Sequence, residues 1–488
     1  MSKSALVIGG QLPGVQAALD IAESGIRVTL VEESPFLGSP GQGHHQDATT
    51  RYLEVVKHPN ITLLTNTRVA AVHGRKGEFK VEIESTPRYV DLAKCTACGD
   101  CVQVCPVTIS VNGMPRTAIF GDGQNAVPNV YAIEKRGVAP CKATCPGGIH
   151  VQGYLALIAK RRFQEALDLI RDAVPFPGVL GRVCYHPCED ACRRGTELDQ
   201  PLSICALKRF VADHDLEQHG PPAARVEARV APRDSEAPRV SIVGAGPAGL
   251  TVAYFLARNG VGCQVFEALP VAGGMLAVGI PDYRLPPDVL QGEIAAIEAL
   301  GVTIHLQSPV DDTRWAQLQA ESEAVFLGVG AHRPRALRIP GEELAGVIPA
   351  VPFLRQVNLA SIALGARPEV GEYVVVIGGG NSAIDSAMVA RRSHARQVTV
   401  LYRRSRSEML ANPWEIEEAE AEGIQFLFLA SPLRAVGLEG RIVALECIRN
   451  ELGEPDQSGR RRPVPIPGSE FTLPCDTLLP AIGQAVTT

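Results

Sequence analysis

Twice in the carboxyl-terminal half of this chain a short apolar run breaks on a glycine turn that opens directly into a helical pattern. The first turn, Gly244-Ala245-Gly246-Pro247-Ala248-Gly249, follows VSIV and precedes LTVAYFLARNG. The second, Gly378-Gly379-Gly380-Asn381-Ser382-Ala383, follows YVVVI and carries alanine at the third glycine position. Glycines permit both the tight turn and a close backbone approach, and the helix amino terminus attracts an anionic pyrophosphate. A chain with this pattern is committed to parallel strands joined by crossover helices.

The strand after each helix says more. CQVFE ends in Glu267, where a carboxylate can accept hydrogen bonds from a ribose. A lone glycine motif is weak evidence, but strand, turn, helix and terminal acid in register are strong. The matching strand of the second unit, QVTVLYRR, ends instead in Arg403 and Arg404. Guanidinium at that place suits a 2′-phosphate and favours NADPH over NADH, the blander alternative being a solvated turn. The carboxyl-terminal half thus holds two Rossmann-like units. The amino-terminal VIGGQLPG, with Glu32 ending its second strand, has the same outline with Gln11 at the central glycine position. A side chain there obstructs the pyrophosphate, so both a degenerate unit and a second nucleotide site stay open.

Nine grouped cysteines lie between these regions. Cys95-x2-Cys98-x2-Cys101-x3-Cys105-Pro106 has the bacterial ferredoxin spacing, in which a tight loop aims thiolates at one cubane. A zinc loop is the competing reading, and three such spacings followed by Cys-Pro argue against it. Cys141-x3-Cys145 and Cys184-x3-Cys188-x3-Cys192 form a second set. The fourth cysteine of a ferredoxin run can ligate another cluster, so Cys105 is a candidate tie to that second set. Two 4Fe-4S clusters consume eight thiolates, and a third is not supported. Cys205 is a possible tenth ligand or a small buried hydrophobe; Cys263, Cys447 and Cys475 read as the latter. His44, His45 and His186 have no ligand spacing.

At 488 residues the chain has room for roughly three domains. The net charge of −6 offers no basic field for nucleic acid or anionic lipid. The apolar start breaks too soon for a signal peptide, no stretch approaches a membrane span, and clustered thiols fit a reducing compartment, so a cytoplasmic protein is expected. The fold class expected is multidomain α/β. Its parts are a Rossmann-like unit (1–90), a ferredoxin-type segment (91–135), a helical iron–sulfur domain with amphipathic helices around Tyr154 to Ile170 (136–212), a linker (213–238), a first Rossmann-like domain (239–340), a second (341–474), and a return segment to the first (475–488).

Residues 137–488 resemble the NADPH-dependent glutamate synthase small-subunit family, through APCKATCPGGIHVQGYLALI, GRVCYHPCEDACRRG, GAGPAGL, AGGMLAVGIPDYRLP, GGGNSAID, YRRSRSEM and AIGQ. Residues 1–135 resemble the amino-terminal part of heterodisulfide reductase flavin subunits, through VIGGQLPGVQAALDIAESGIRVTLVEESP and PRYVDLAKCTACGDCVQVCPV. The resemblance implies FAD on Gly244, Gly246, Gly249, Glu267, Gly274 and Arg284. It implies NADPH on Gly380, Asn381, Ser382, Arg403 and Arg404, with Gly378 opening that loop. It also implies electron transfer between NADPH, FAD and 4Fe-4S clusters, to or from a partner protein in a hetero-oligomer.

That chemistry demands no side-chain acid or base, so no catalytic residue is named. No cysteine lies between Cys263 and Cys447, so the redox pair of flavin disulfide reductases has no residues here and the clusters are the expected exit. Four departures from the families stand out: Leu180 replaces a cysteine and an upstream cysteine pair is missing, GSPGQGHHQDATT replaces a cysteine-bearing stretch, Gln11 replaces a glycine, and the chain stops just after AIGQ. The last suggests truncation before a flavin-contacting segment. An iron–sulfur scaffold subunit without working flavin, and a heterodisulfide reductase-type subunit, are the alternatives.

Overall fold

The computed structural model describes residues 4–37, 46–75, 77–105, 107–111, 113–123, 126–135, 137–220 and 239–486. His44, His45, Pro106 and most of the expected linker lie outside these. The chain divides into two compact units, Met1–Val138 and Ala139–Thr488.

In the first unit β1 (Ser4–Ile8), β2 (Arg27–Val31) and β3 (Ile61–Leu64) form a parallel sheet with β2 central, crossed by α1 (Leu12–Glu23) and α2 (Gln46–Lys57). Val15, Ala18, Leu19 and Ala22 recur at helical spacing, so one face of α1 is apolar and packs on Val28 and Leu30. A hairpin of β4 (Thr67–Arg75) and β5 (Glu78–Ser85) leads to the first cysteine segment. That segment contains α3 (Asp100–Gln103), the hairpin β6 (Thr108–Val111) and β7 (Met114–Thr117), and the short pair β8 (Ile119–Phe120) and β9 (Ala132–Ile133). Val127 enters the α/β core, and the Leu37 N–H donates to its carbonyl at 2.8 Å. The stretches 1–90 and 91–135, separate in sequence pattern, therefore share a core.

The second unit opens with α4 (Pro140–Ala143), α5 (Val151–Ala159), α6 (Phe163–Arg171), α7 (Pro177–Val183), α8 (Pro187–Asp190), α9 (Arg193–Glu197) and α10 (Ile204–His219). Tyr154, Ala166, Leu167 and Ile170 are buried here, with Leu155, Ile158 and Phe163 packed against them. The expected linker start needs correction: α10 continues through Asp213 to His219, and Gly220, with φ 70°, ends it. Val211 and Asp215 on its inner face are buried, which holds this last stretch helical despite its polar sequence.

Two parallel sheets of like topology follow. The first lobe comprises β10 (Arg239–Val243), α11 (Pro247–Arg258), β11 (Gly262–Phe266), α12 (Met275–Val278), α13 (Pro287–Ala299), β12 (Thr303–His305), α14 (Asp312–Glu321) and β13 (Ala324–Leu327). Its sheet order is β12-β11-β10-β13. After β14 (Arg333–Pro334) and α15 (Ala350–Ser361), the second lobe runs β15 (Tyr373–Ile377), α16 (Asn381–Arg392), β16 (Gln397–Tyr402), α17 (Pro413–Ala421) and β17 (Gln425–Phe428). An antiparallel arm of β18 (Ala430–Leu438), β19 (Arg441–Pro455) and β20 (Arg461–Pro474) intervenes before β21 (Thr477–Pro480) and β22 (Gln484–Ala485).

The second sheet reads β17-β16-β15-β21, so Thr477–Pro480 completes the second lobe rather than beginning a return to the first. The cause is burial, since TLLP is fully apolar-facing and pairs in parallel with the equally buried VVVI of β15. β22 then pairs antiparallel with β14.

Candidate dinucleotide and iron–sulfur sites

In both lobes the glycine turn sits where β10 or β15 hands over to its helix, at the point where strand order reverses. Gly244 has φ 101°, and a Cβ there would stand 2.4 Å from the Gly328 carbonyl oxygen. A Cβ on Gly274 would lie 2.7 Å from the Gly246 Cα, so two bare backbones abut at the mouth of the turn. A Cβ on Gly249 would strike the Gly244 oxygen at 2.0 Å, which is why α11 can start so close to the strand. This bare cradle fits a pyrophosphate. Glu267 is buried, and its carboxylate accepts the N–H groups of Ala245 and Leu269, each at 2.8 Å, tying the end of β11 to the turn.

The amino-terminal turn repeats this geometry residue for residue. Glu32 accepts the N–H of Gly10 at 2.5 Å and of Ser34 at 2.7 Å, and a Cβ on Gly14 would meet the Gly9 oxygen at 2.0 Å. Gln11 adopts φ −75° and ψ 167°, almost the conformation of Gly246 at φ −80° and ψ −179°. The backbone shape survives in this unit; the bare central position does not.

The second lobe opens on a cleft of about 1170 Å³, lined by Gly378, Gly380, Asn381 and Ser382 with arginines on its walls. A Cβ on Gly380 would meet nothing within 4 Å, so the turn faces open space. The two diagnostic arginines part company here. Arg403 is exposed, whereas Arg404 is buried, donating from Nη2 to Asp456 at 2.5 Å and from Nε to the Arg461 carbonyl at 2.7 Å. Arg404 lines the cleft, but its cation is already neutralised by the arm.

Arg284, expected at the flavin, is engaged by carboxylates of the second lobe. Its Nη1 donates to both oxygens of Asp385 at 2.8 Å, and Nη2 donates to Glu415 at 2.6 Å. Tyr283 donates to Asp385 at 3.4 Å, and the Asn358 amide donates to the Ile280 carbonyl at 2.9 Å. The PDYRLP segment is therefore a clasp between the lobes of the second unit. Burial pushes the Asp385 carboxyl up to about 6 even beside Arg284.

The second cysteine set is spread over four short helices. Cys141 and Cys145 lie on and just after α4, Cys184 follows α7, Cys188 is in α8, and Cys192 caps α9. Burial, then the neighbouring Cys184, Glu189 and Cys145, push the Cys188 thiol up to about 12 against the pull of Lys208. Cys141 is raised by burial and by nearby Cys192 and Cys145. Burial also opposes ionisation of Cys192, yet the N–H groups of Leu202, Gly195 and Arg194 and the Arg194 charge bring its thiol below the usual range. Thiols within electrostatic reach of one another, with backbone N–H groups aimed at one of them, are a donor set suited to an iron cluster. Cys205 differs, its thiol donating to the Leu180 and Gly181 carbonyls at 3.4 and 3.5 Å.

In the first unit Cys95 and Cys98 both raise Cys101, whose thiol is pushed up chiefly by burial, and Cys95 accepts the Tyr131 N–H at 3.5 Å. The Cys105 thiol turns to the Val107 carbonyl at 3.6 Å. Among the described residues no three His, Cys, Asp or Glu side chains close on a single metal ion.

Two contacts bind the cysteine helices to the lobes. His186, between Cys184 and Cys188, stacks on Trp414 of α17 at 4.9 Å and 19°. Buried Glu293 of α13 accepts the N–H groups of Gly178 and Val179 at 2.6 and 3.1 Å, at the start of the helix that Cys184 ends. Sequence reasoning missed Glu293, Glu415 and Trp414, which belong to no cofactor motif, and gave no role to Asp385, which ends the GGGNSAID stretch.

The family described as pyridine nucleotide-disulphide oxidoreductase matches residues 238–488, more than half of the chain. The chain belongs to that family. A second match to pyridine nucleotide-disulphide oxidoreductases covers residues 4–86. A 4Fe-4S binding domain covers 88–108, and the 4Fe-4S domain II of dihydropyrimidine dehydrogenase covers 135–220. The NADP(+)-dependent formate dehydrogenase subunit beta of Moorella thermoacetica is 48% identical over 366 residues, 71% of this chain and 51% of the relative. The NADPH-Fe(3+) oxidoreductase subunit beta of Geobacter sulfurreducens is 40% identical over 431 residues, 86% of this chain and 62% of the relative. The glutamate synthase [NADPH] small chain of Halomonas elongata is 33% identical over 369 residues, 74% of this chain and 76% of the relative. The chain thus spans only part of the length of the first two. It carries 4Fe-4S domains together with the FAD- and NADPH-binding domains of this oxidoreductase family. No helix among the described residues is long and apolar enough to cross a membrane.

Proposed function

We propose that the chain moves electrons between NADPH, FAD and 4Fe-4S clusters, to or from a partner subunit. The observation that carries this reading is the joining of the second cysteine set to both dinucleotide lobes, through Glu293 on one and Trp414 on the other. FAD, when bound, supplies the exchange between two-electron hydride chemistry and one-electron carriers. Gly244, Gly246, Gly249 and Gly274 would hold its pyrophosphate and Glu267 its ribose. Gly378, Gly380, Asn381 and Ser382 would hold NADPH, with Arg403 at its 2′-phosphate. Cys95, Cys98, Cys101 and Cys105, and the set Cys141, Cys145, Cys184, Cys188 and Cys192, would hold iron. The beta subunits and small chain among the relatives favour a polypeptide partner as electron donor or acceptor.

Anaerobically reconstituted full chain is expected to bind flavin and to lose flavin absorbance on addition of NADPH. Stoichiometric iron with neither flavin nor NADPH oxidation would instead select an iron–sulfur scaffold. Cys188→Ser is expected to lower iron by about four atoms per chain, one cubane. Unchanged iron and an unchanged cluster EPR signal would remove Cys188 from the ligand set.

A further inference from the structure

The arm formed by β19 and β20 belongs to neither glycine motif, yet it is fastened at the end of β16, where a 2′-phosphate would lie. Asn450, buried in β19, donates to the Arg403 carbonyl at 3.1 Å and to Ser431 at 2.9 Å. Beyond it, Asp456 and the Arg461 carbonyl accept from Nη2 and Nε of Arg404. The Arg461 side chain pairs with Glu408 at 2.6 Å, and Glu408 accepts the Ser405 N–H at 3.1 Å. This closed circuit runs from the end of β16 to the arm and back.

Between Asp456 and Arg461 the chain turns, the Asp456 N–H donating to the Arg460 carbonyl at 2.8 Å and the Gly459 N–H to the Asp456 carbonyl at 2.9 Å. Ser458 donates to Asp456 at 2.5 Å, and Arg460 donates from Nε to Ser458 at 3.0 Å. That bond orients the guanidinium of Arg460 without neutralising it, and Arg460 lines the same cleft as Gly380, Ser382 and Arg403. Arg404 is electrostatically satisfied; Arg403 and Arg460 retain their charge toward the cleft.

We propose that Arg460, carried in by the arm, reads the nucleotide 2′-phosphate together with Arg403, and that Arg404 is the positioning residue that anchors the arm. This rests on the reading that the second-lobe cleft takes a pyridine nucleotide. A phosphate monoester presents several acceptor oxygens, and two arginines on different chain segments can share them through charge-assisted hydrogen bonds. NAD lacks that group, so the arm discriminates between the two nucleotides.

The test is calorimetric binding of 2′,5′-ADP, 5′-ADP, NADP+ and NAD+ to the full chain, as wild type, Arg460→Ala and Asp456→Asn. Arg460→Ala is expected to weaken 2′,5′-ADP and NADP+ by about tenfold or more while changing 5′-ADP and NAD+ by less than about twofold, which also reports an intact cleft. Asp456→Asn removes no cation from the cleft and is expected to shift the 2′,5′-ADP to 5′-ADP affinity ratio in the same direction, by releasing the arm. A wild type that prefers NADP+ with an Arg460→Ala ratio unchanged overturns the proposal and leaves the nucleotide reading standing. A wild type that binds neither NADP+ nor NAD+ overturns the nucleotide reading, and the proposal with it.

Discussion

Replacing Arg284 with methionine is expected to destabilise the second unit by about 3–5 kcal/mol, because it strips the cation from a buried ionic cluster. The guanidinium lies between Asp385 on α16 and Glu415 on α17, with side-chain exposures of 15% for Arg284, 7% for Asp385 and 10% for Glu415. Removing the cation leaves two buried carboxylates facing each other without compensation, and one Glu415 oxygen already lacks a partner. Another cation, Arg392, lies over the Tyr283 ring at 3.9 Å.

The sign with pH follows from Asp385. Its folded value of about 6 is raised above the ordinary carboxylate value of 3.8, and loss of Arg284 raises it further. Arg284→Met is then less damaging at pH 5, where Asp385 can take a proton, than at pH 8, where it must ionise in a buried place. The triple variant with Asp385→Asn and Glu415→Gln is expected to recover most of the loss, because no uncompensated charge remains. Thermal unfolding of the three proteins at both pH values decides the matter. A melting temperature for Arg284→Met within a degree of wild type at pH 8 would mean that the clasp contributes nothing.

Much of this architecture was legible in residue patterns, for reasons that also explain the failures. The glycine turns, the buried VVVI strand and the amphipathic run from Tyr154 to Ile170 are local: spacing alone dictates strand, turn or helix face. The cysteine sets were legible because a cubane demands closely spaced thiols. For Arg284 and Arg404 the motif gives the position of the residue and not the neighbours of its side chain. Both arginines neighbour carboxylates more than 50 positions away in the chain, Asp385 and Glu415 for one and Asp456 for the other. Thr477–Pro480 misled for a similar reason, since a four-residue apolar strand fits either sheet and only the vacant edge beside β15 selects one. Arg460 carried no signal at all, its importance arising from an arm whose fold returns it to the cleft.

Glu293 yields the second large effect, and its direction is opposite to that of an ordinary surface carboxylate. Burial raises it from 4.5 to about 7, although the N–H groups of Gly178 and Val179 and the charges of Arg171 and Arg182 all favour the ionised form. Below pH 4.5 the group is protonated in both folded and unfolded chains and contributes no pH dependence. Between 4.5 and 7 the unfolded chain releases this proton while the folded one keeps it, so stability falls by about 3 kcal/mol as pH rises through that window and is level above it. Glu293→Gln cannot ionise. Its carbonyl can still accept the Gly178 N–H, while its amide confronts the Val179 N–H, at a cost of about 1–3 kcal/mol. The variant is therefore expected to melt below wild type at pH 5 and to match or exceed it at pH 8, every other titrating group cancelling in the difference. A melting-temperature difference constant from pH 5 to pH 8 would show that Glu293 keeps its charge on folding. α7 begins on the Glu293 carboxyl and ends at Cys184, so the proton held on this first-lobe helix sits at the start of the helix that ends at a cysteine of the second set.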